Sequence, residues 1–378
     1  MNSPESTTTI RSAASYPRTT RMPLPSPSDG PLKAADIKQS LRQLGITENV
    51  VIHEQDYEQF LLEKGLTELG RGGEGVVYFL RGHVVKVAAN DAVPSALREI
   101  AHMMHLNRHI LRGAVGERAR EDFPSLLWVY VLSNGSLSIG MKPFEPSEDE
   151  TAPGATLHER LMAGPLMGRA HVIQTIRGLA ESLAYAHTHG IIHHDLKPAN
   201  IFVPARASQR TVVFDFGQAL WQHPAWGRNW LLHRHNAYYW YNGTYRYMHH
   251  QRRMAHMAAL DKAQLREPMP TLQDAFNRYV PAYYDDILAF ARILRDIVRS
   301  PFTALSGAER AVLKGFYQRI MRFGTPVNGQ TESGILRMFK PKRKESSVQM
   351  AIWGDPRHVT MSALLPDIER LLSKMGKH

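Results

Sequence analysis

Apolar periodicity changes along this chain in a way that fixes the order of its secondary structure. From Leu66 the pattern is one of short strands: "LTELG", "GVVYFL" and "HVVKVA". "PSALREIAHMMHL" (94–106) then takes helical spacing, with Pro94 placed for a helix start. "LLWVYVLS" and "SLSIGMKPF" are strand-like again and are joined by Asn134-Gly135, a strong hairpin signal. Beyond Thr151 the segments are helical: "GATLHERLM", "AHVIQTIRGLAESLAYAHTHG", "DDILAFARILRDIVR" and "MSALLPDIERLLSKM". A β-rich part followed by a helix-rich part predicts two lobes.

The chain of 378 residues is long enough for one large or two ordinary domains. Its 43% hydrophobic and 21% charged residues are those of a soluble globular protein. "SLLWVYVL" (125–132) is among the longest apolar runs, well short of the ~20 residues of a membrane helix. Lack of cysteine excludes disulfides, thiolate metal ligands and a thiol nucleophile. A net charge of +11 favours an anionic partner, whether nucleotide, acidic protein surface, membrane face or nucleic acid, or serves solubility alone. The basic run "KPKRKESS" (340–347) has no zinc-finger spacing or RNA-binding aromatic motif beside it, which argues against nucleic acid.

Residues 1–32 are rich in Ser, Thr and Pro and poor in large apolar residues, as expected of a disordered tail. Arg11, Arg18 and Arg21 with few acids suit an organelle transit peptide, and the Ser/Thr bias suits a bacterial type III export signal; a plain linker has the same composition. "LKAADIKQSLRQLG" (32–45) has helical spacing ending in glycine, so residues 33–65 are expected to be a helical extension.

The glycines of "LGRGGEGVVYFL", at 70, 72 and 75, would let backbone N–H groups approach phosphate oxygens; taken alone they identify nothing, because glycine-rich turns are common. A two-residue turn at Arg81-Gly82 would set Leu80 opposite His83, Phe79 opposite Val84, Tyr78 opposite Val85 and Val77 opposite Lys86. Alternation then puts Val77, Phe79, Val84 and Lys86 on one face. A lysine among apolar neighbours under a glycine loop is placed to reach nucleotide phosphates, and it needs a partner. Glu99, on the helix that follows, is the candidate.

"GIIHHDLKPANIFV" (190–203) crowds Asp195, Lys197 and Asn200 into one loop ahead of a short strand, and "TVVFDFG" (211–217) predicts a second strand ending in Asp215. Two strands bracketing the loop would gather Asp195, Asn200 and Asp215 at one end of a small sheet. Asn200 and Asp215 are oxygen ligands suited to magnesium, which takes few protein ligands beside phosphate oxygens. Asp195 remains as a base for a hydroxyl, and Lys197 can neutralise a phosphoryl group.

In this order the motifs resemble the eukaryotic-type Ser/Thr protein kinase family, over roughly residues 66–300. "GRGGEGVV" resembles its glycine loop, "VVKVA" its strand lysine, "HHDLKPAN" its catalytic loop, "DFG" its metal motif and "GTYRYM" (243–248) the start of its substrate-facing loop. The resemblance implies an α+β, bilobal kinase-like fold, with an N-lobe over 66–145 and a C-lobe over 146–378. It implies ATP, Mg2+ and transfer to Ser or Thr of a protein. Catalytic roles fall on Asp195, Lys197, Lys86 and Glu99, and metal binding on Asn200 and Asp215. Nucleotide contacts fall on Gly70, Gly72, Gly75, Val77, Val84 and Lys86. Met141 would guard the adenine pocket, with adenine bonds to the Lys142 carbonyl and the Phe144 N–H. Pro143, which has no N–H to give, stands where none is required. Asp286, in "DDILAFARIL", takes the place that braces the catalytic loop.

Four departures stand out. His194 replaces the arginine that holds a phosphorylated activation loop in the family. Residues 218–242 contain no Ser or Thr but four tryptophans and three tyrosines, so activation without Ser/Thr phosphorylation there, constitutive or through an activating partner, is expected. "HHQ" (249–251) replaces Ala-Pro-Glu, and a segment at about 252–284 is expected to add one or two helices. With the Ser/Thr-rich tail, these resemble bacterial effector kinases delivered into host cytoplasm; otherwise a cytoplasmic kinase is expected. A nucleotide-binding pseudokinase scaffold and a small-molecule kinase of related fold are the alternatives.

Overall fold

The computed structural model describes residues 33–43, 46, 50–53, 67–72, 75–80, 83–89, 92–112, 123–132, 135–142, 155–207, 209–221, 244–248, 252–254, 257, 282–323 and 359–375. The tail at 1–32, the activation segment from 222 to 242, "HHQ", most of the 252–284 segment and the basic run at 340–347 lie outside the described residues. The chain divides into two compact units, Met1–Glu148 with Asp215–Gly217, and Asp149–Phe214 with Gln218–His378.

The first unit holds helix α1 (Ala34–Gln43), strands β1 (Val50–His53), β2 (Thr67–Gly72), β3 (Gly75–Leu80) and β4 (His83–Ala88), helix α2 (Val93–Arg112), and strands β5 (Leu126–Leu132) and β6 (Leu137–Met141). The six strands form one sheet in the order β1-β5-β6-β4-β3-β2. The β3–β4 register is the expected one, with Val77 opposite Lys86 and Leu80 opposite His83. The β5–β6 hairpin closes near Gly135, whose φ of 81° favours glycine, with the Leu132 N–H donating to the Ser136 carbonyl at 2.9 Å.

Period-two alternation gives this sheet two apolar faces. On one, Ala88, Val129, Val131, Ile139 and Met141 pack against Leu97, Ile100 and Met103 of α2 and against Ile37 and Leu41 of α1. On the other, Val76, Tyr78, Val85 and Val87 cluster with Leu132. One expectation is corrected: residues 33–65 are not simply a helical extension. Val50–His53 is a strand parallel to β5, Val50 opposite Val129, and α1 is part of the core. A four-residue strand that finds its partner about eighty positions away carries no local turn signal.

The second unit begins with strand β7 (Ala155–Thr156), followed by helix α3 (Leu157–Met162) and helix α4 (Arg169–Thr188). Thr156 caps α3 reciprocally with Glu159, so the helical run expected from "GATLHERLM" starts only at Leu157. Strands β8 (Ile191–Ile192), β9 (Ile201–Val203), β10 (Val212–Val213) and β11 (Leu220–Trp221) follow. β9 lies between β10 and β7, and β8 pairs with β11. The strand expected to end in Asp215 thus stops at Val213. Helices α5 (Tyr283–Arg299), α6 (Gly307–Phe323) and α7 (Met361–Met375) complete the unit. Ile287, Phe290, Ile293 and Leu294 of α5 and Leu179, Ala180 and Leu183 of α4 are buried. Among the described residues no helix is long and apolar enough to cross a membrane.

Candidate active site

The predicted site residues fall into two groups, one in each unit. In the first, alternation along β4 turns Lys86 to the face that α2 covers. Its ammonium donates to Glu99 Oε2 at 2.7 Å and to Asp215 Oδ1 at 3.0 Å. The side chains of Lys86 and Glu99 are 11% and 3% exposed, so this is a nearly dry pair in which removing one charge is costly. Asp215 has a φ of 64°, a strained conformation for a non-glycine residue. The segment after it is held by Arg98 of α2, whose Nε donates to the Gly217 carbonyl at 2.9 Å. Phe216 is buried with its ring 5.8 Å edge-on from Phe123.

The glycines lie on β2 and β3, with Gly70 opposite Val77 and Gly72 opposite Gly75. Gly75 has a φ of 148°, and a Cβ there would come within 2.1 Å of the Val87 carbonyl oxygen. A Cβ at Gly70 would meet nothing within 4 Å, so open space lies over that backbone. Val77 and Val84 are half-buried, and Met141, buried, pairs with Val84. The Lys142 N–H donates to the Ser125 carbonyl at 3.0 Å. Phe144 lies outside the described residues.

The second group is built on the loop between β8 and β9. Asp195 is 8% exposed; its Oδ2 accepts from Lys197 Nζ at 2.7 Å and its Oδ1 from the Thr244 N–H at 2.6 Å. Asn200 Nδ2 donates to the Asp195 carbonyl at 3.0 Å, which leaves the amide oxygen as the group's free hard donor. An amide oxygen is a hard donor of the kind that magnesium takes. The Phe214 N–H donates to the Asn200 carbonyl at 3.1 Å, and His193 Nε2 lies 2.9 Å from the Phe214 carbonyl.

Asp286, at the start of α5, braces this loop. Its Oδ2 accepts from the His193 N–H at 2.7 Å and its Oδ1 from the His194 N–H at 2.9 Å. His187, at the end of α4, approaches Oδ2 through Nε2 at 3.1 Å, while the Met361 N–H donates to its Nδ1 at 3.0 Å. Because Nδ1 accepts, Nε2 must carry the proton that Asp286 receives. Burial pushes the Asp286 carboxyl upward, but the His187 hydrogen bond, the two histidine rings and the His194 N–H outweigh it and hold the carboxyl below the usual range.

His194 is buried, with a φ of 68°. Its carbonyl accepts from Arg252 Nη1 at 2.6 Å, so the peptide leading into Asp195 is held from both ends. Arg252 is 2% exposed. The sequence reading missed Arg252, Arg98 and His187, since each acts through a tertiary contact with no local spacing to announce it. A small pocket beside Asp195 is lined by His194, Thr244, Tyr247, Arg252 and Asp286 among others.

A family model described as the protein kinase domain matches residues 149–249. A probable serine/threonine-protein kinase of Streptomyces coelicolor is 28% identical over 151 residues, 40% of this chain and 21% of that protein. The serine/threonine-protein kinase PknJ of Mycobacterium tuberculosis is 28% identical over 155 residues, covering 40% and 24%. The serine/threonine-protein kinase pkn2 of Myxococcus xanthus is 32% identical over 162 residues, covering 41% and 18%. The match thus spans a quarter or less of the length of these relatives. The loop "HHDLKPAN", braced by Asp286, lies inside the matched stretch, so residues 149–249 of this chain are similar to the protein kinase domain.

Proposed function

We propose that this protein transfers the γ-phosphoryl group of ATP, with magnesium, to Ser or Thr hydroxyls of a protein substrate. The observation that carries the reading is the Asp195 loop, where the Lys197 ammonium lies 2.7 Å from the Asp195 carboxylate and the Asn200 side-chain amide is held on the Asp195 carbonyl at 3.0 Å. ATP would supply the phosphoryl group and magnesium the charge neutralisation. Asp195 orients the acceptor hydroxyl and takes its proton, an effect of about 10²–10⁴ in rate for such groups. Lys197, already on the same carboxylate, offers its charge to the transferred group. Asn200 and Asp215 hold the metal, Lys86 holds phosphate oxygens, and Glu99 keeps Lys86 in place.

Gly70, Gly72, Gly75, Val77 and Val84 cover the nucleotide in this reading, with Met141, Lys142 and Phe144 at the adenine. The similarity to enzymes named serine/threonine-protein kinases supports the acceptor class. The Ser/Thr-rich segment 1–32 and the Ser/Thr-free segment 218–242 support delivery as a bacterial effector that acts in host cytoplasm without loop phosphorylation, or with an activating partner. The test is label transfer from γ-labelled ATP to total protein, wild type against Asp195→Ala. Phosphoserine or phosphothreonine formed only by wild type and only with magnesium is expected. Equal labelling by both proteins, or none by either, would overturn the reading.

A further inference from the structure

The turn Thr244–Met248 lies directly against Asp195, through the Thr244 N–H at 2.6 Å from Oδ1. The Tyr247 N–H closes the turn on the Thr244 carbonyl at 2.8 Å. Arg292 of α5, itself buried, holds the far side by donating to the Arg246 carbonyl at 2.9 Å and to the Met248 carbonyl. A chain that presents a hydroxyl to Asp195 must therefore pass beside this turn. The outward groups there are Tyr245, 48% exposed, and the Arg246 side chain, 61% exposed.

Charge around the turn is one-sided. Arg246, Arg253, Arg292 and Arg295 gather there, and Asp296 is the carboxylate that ion pairs join to any of them among the described residues. It takes Arg246 Nη2 at 2.7 Å, Arg295 Nε at 3.5 Å and the Tyr247 hydroxyl at 2.7 Å. Arg246 and Arg295 share Asp296, whereas no ion pair is found for Arg253 or Arg292 among the described residues. Of the other nearby carboxylates, Asp195 is ion-paired with Lys197, Asp285 accepts from the Ala282 N–H at 2.9 Å, and Asp286 accepts from the His193 N–H; the last two are buried beneath the turn rather than beside its exposed edge. Arg253 lies with its guanidinium carbon 4.6 Å from the Tyr245 ring centroid, and its buried Nε has no hydrogen-bond partner among the described residues. Burial first, then Arg253 and Arg295, brings the Arg292 pKa down to about 10, which places these three cations within electrostatic reach of one another. Clamping the turn needs only Arg292; Arg246 and Arg253 are surplus to it.

We infer that this arginine cluster, with Arg246 and Arg253 at its edge, selects substrates that carry an anionic side chain close to the acceptor hydroxyl. The inference rests on the kinase reading and names its substrate class: peptides with Glu, Asp or a phosphorylated residue beside the acceptor. The experiment uses the full chain and synthetic serine peptides identical except for flanking positions, which carry Glu, phosphoserine, Gln or Lys. Two new charge pairs of ordinary surface strength correspond to a kcat/KM for the anionic peptides about 2- to 30-fold above that for the Gln peptide. The Lys peptide falls below it, and the preference shrinks as salt is raised. Phosphoserine exceeds Glu if a guanidinium binds the anion in bidentate fashion. The double variant Arg246→Gln, Arg253→Gln is expected to bring the Glu-to-Gln ratio to about 1, while Arg253→Lys, which keeps the charge, retains much of it. Equal turnover of Glu and Gln peptides by wild type, or a preference that survives in the double variant, overturns the inference and leaves the kinase reading intact. A wild type that labels no peptide and no protein overturns both.

Discussion

Replacing Asp286 by Asn tests whether one buried carboxylate holds the catalytic loop. Asp286 is 1% exposed, and its oxygens receive two backbone N–H bonds and one imidazole bond. An asparagine has a single oxygen, so in either amide orientation at least one of the His193 and His194 N–H groups faces an NH2 group. Leaving one buried donor unpaired costs about 1–3 kcal/mol, and the surviving bonds drop from charged to neutral strength. Together these give about 3–4 kcal/mol, within the roughly 3–5 kcal/mol typical when one member of a buried charged set is removed. Against a total stability of about 5–15 kcal/mol, the variant folds but unfolds at clearly lower urea concentration. Activity falls further, by about 10²-fold, if the loop shifts by an ångström. The folded pKa of Asp286 lies below its ordinary 3.8, so its stabilisation is present above that value and lost as pH falls through the lower folded pKa. The gap between wild type and Asp286→Asn, measured by circular dichroism in urea at pH 7, should therefore narrow below about pH 4. A gap under about 1 kcal/mol at pH 7, or one that stays constant into acid, would refute the reasoning.

Further outcomes follow from the same geometry. Lys86→Met removes the cation from between Glu99 and Asp215 and should lower phosphoryl transfer by about 10²-fold or more; transfer within a factor of two of wild type would count against its assigned role. Arg252→Met should lower kcat with KM for ATP little changed, and Arg252→Lys should recover part of the loss; equal loss in both, tracking thermal stability, would reduce Arg252 to a packing residue. Burial pushes Tyr247, Tyr283 and Tyr284 upward, Tyr283 to about 12, so stability should hold to about pH 10 and decline above it as the unfolded chain's tyrosines ionise. Spectrophotometric titration should show these hydroxyls ionising late; early ionisation in the folded protein would contradict their burial.

Some of this arrangement was legible in the sequence because it is set locally. The turn at Arg81-Gly82 and the alternation around it dictate that Val77 faces Lys86, and the helix that follows has few positions from which a carboxylate could reach that lysine. Asp286 was found through its resemblance to a known motif and bears out its bracing position in two backbone bonds. The parts that were not legible depend on distance along the chain. Val50–His53 has no turn that pairs it with Val129–Leu132, and Arg252 reaches the His194 carbonyl across fifty-eight positions. His187 looks like any other polar residue at a helix end; its role appears only when α7 brings the Met361 N–H to its other ring nitrogen. The short reach of β10 reflects the left-handed backbone at Asp215, which no propensity for "TVVFDF" foretells.

The most direct measurement is calorimetric titration of the full chain with ATP, with and without magnesium, for wild type, Asn200→Ala and Asp215→Ala. If Asn200 and Asp215 grip the same ion, wild type binds ATP more tightly with magnesium than without it, and either substitution abolishes that enhancement. Nucleotide uptake indifferent to magnesium, or an enhancement that survives in either variant, would contradict the account.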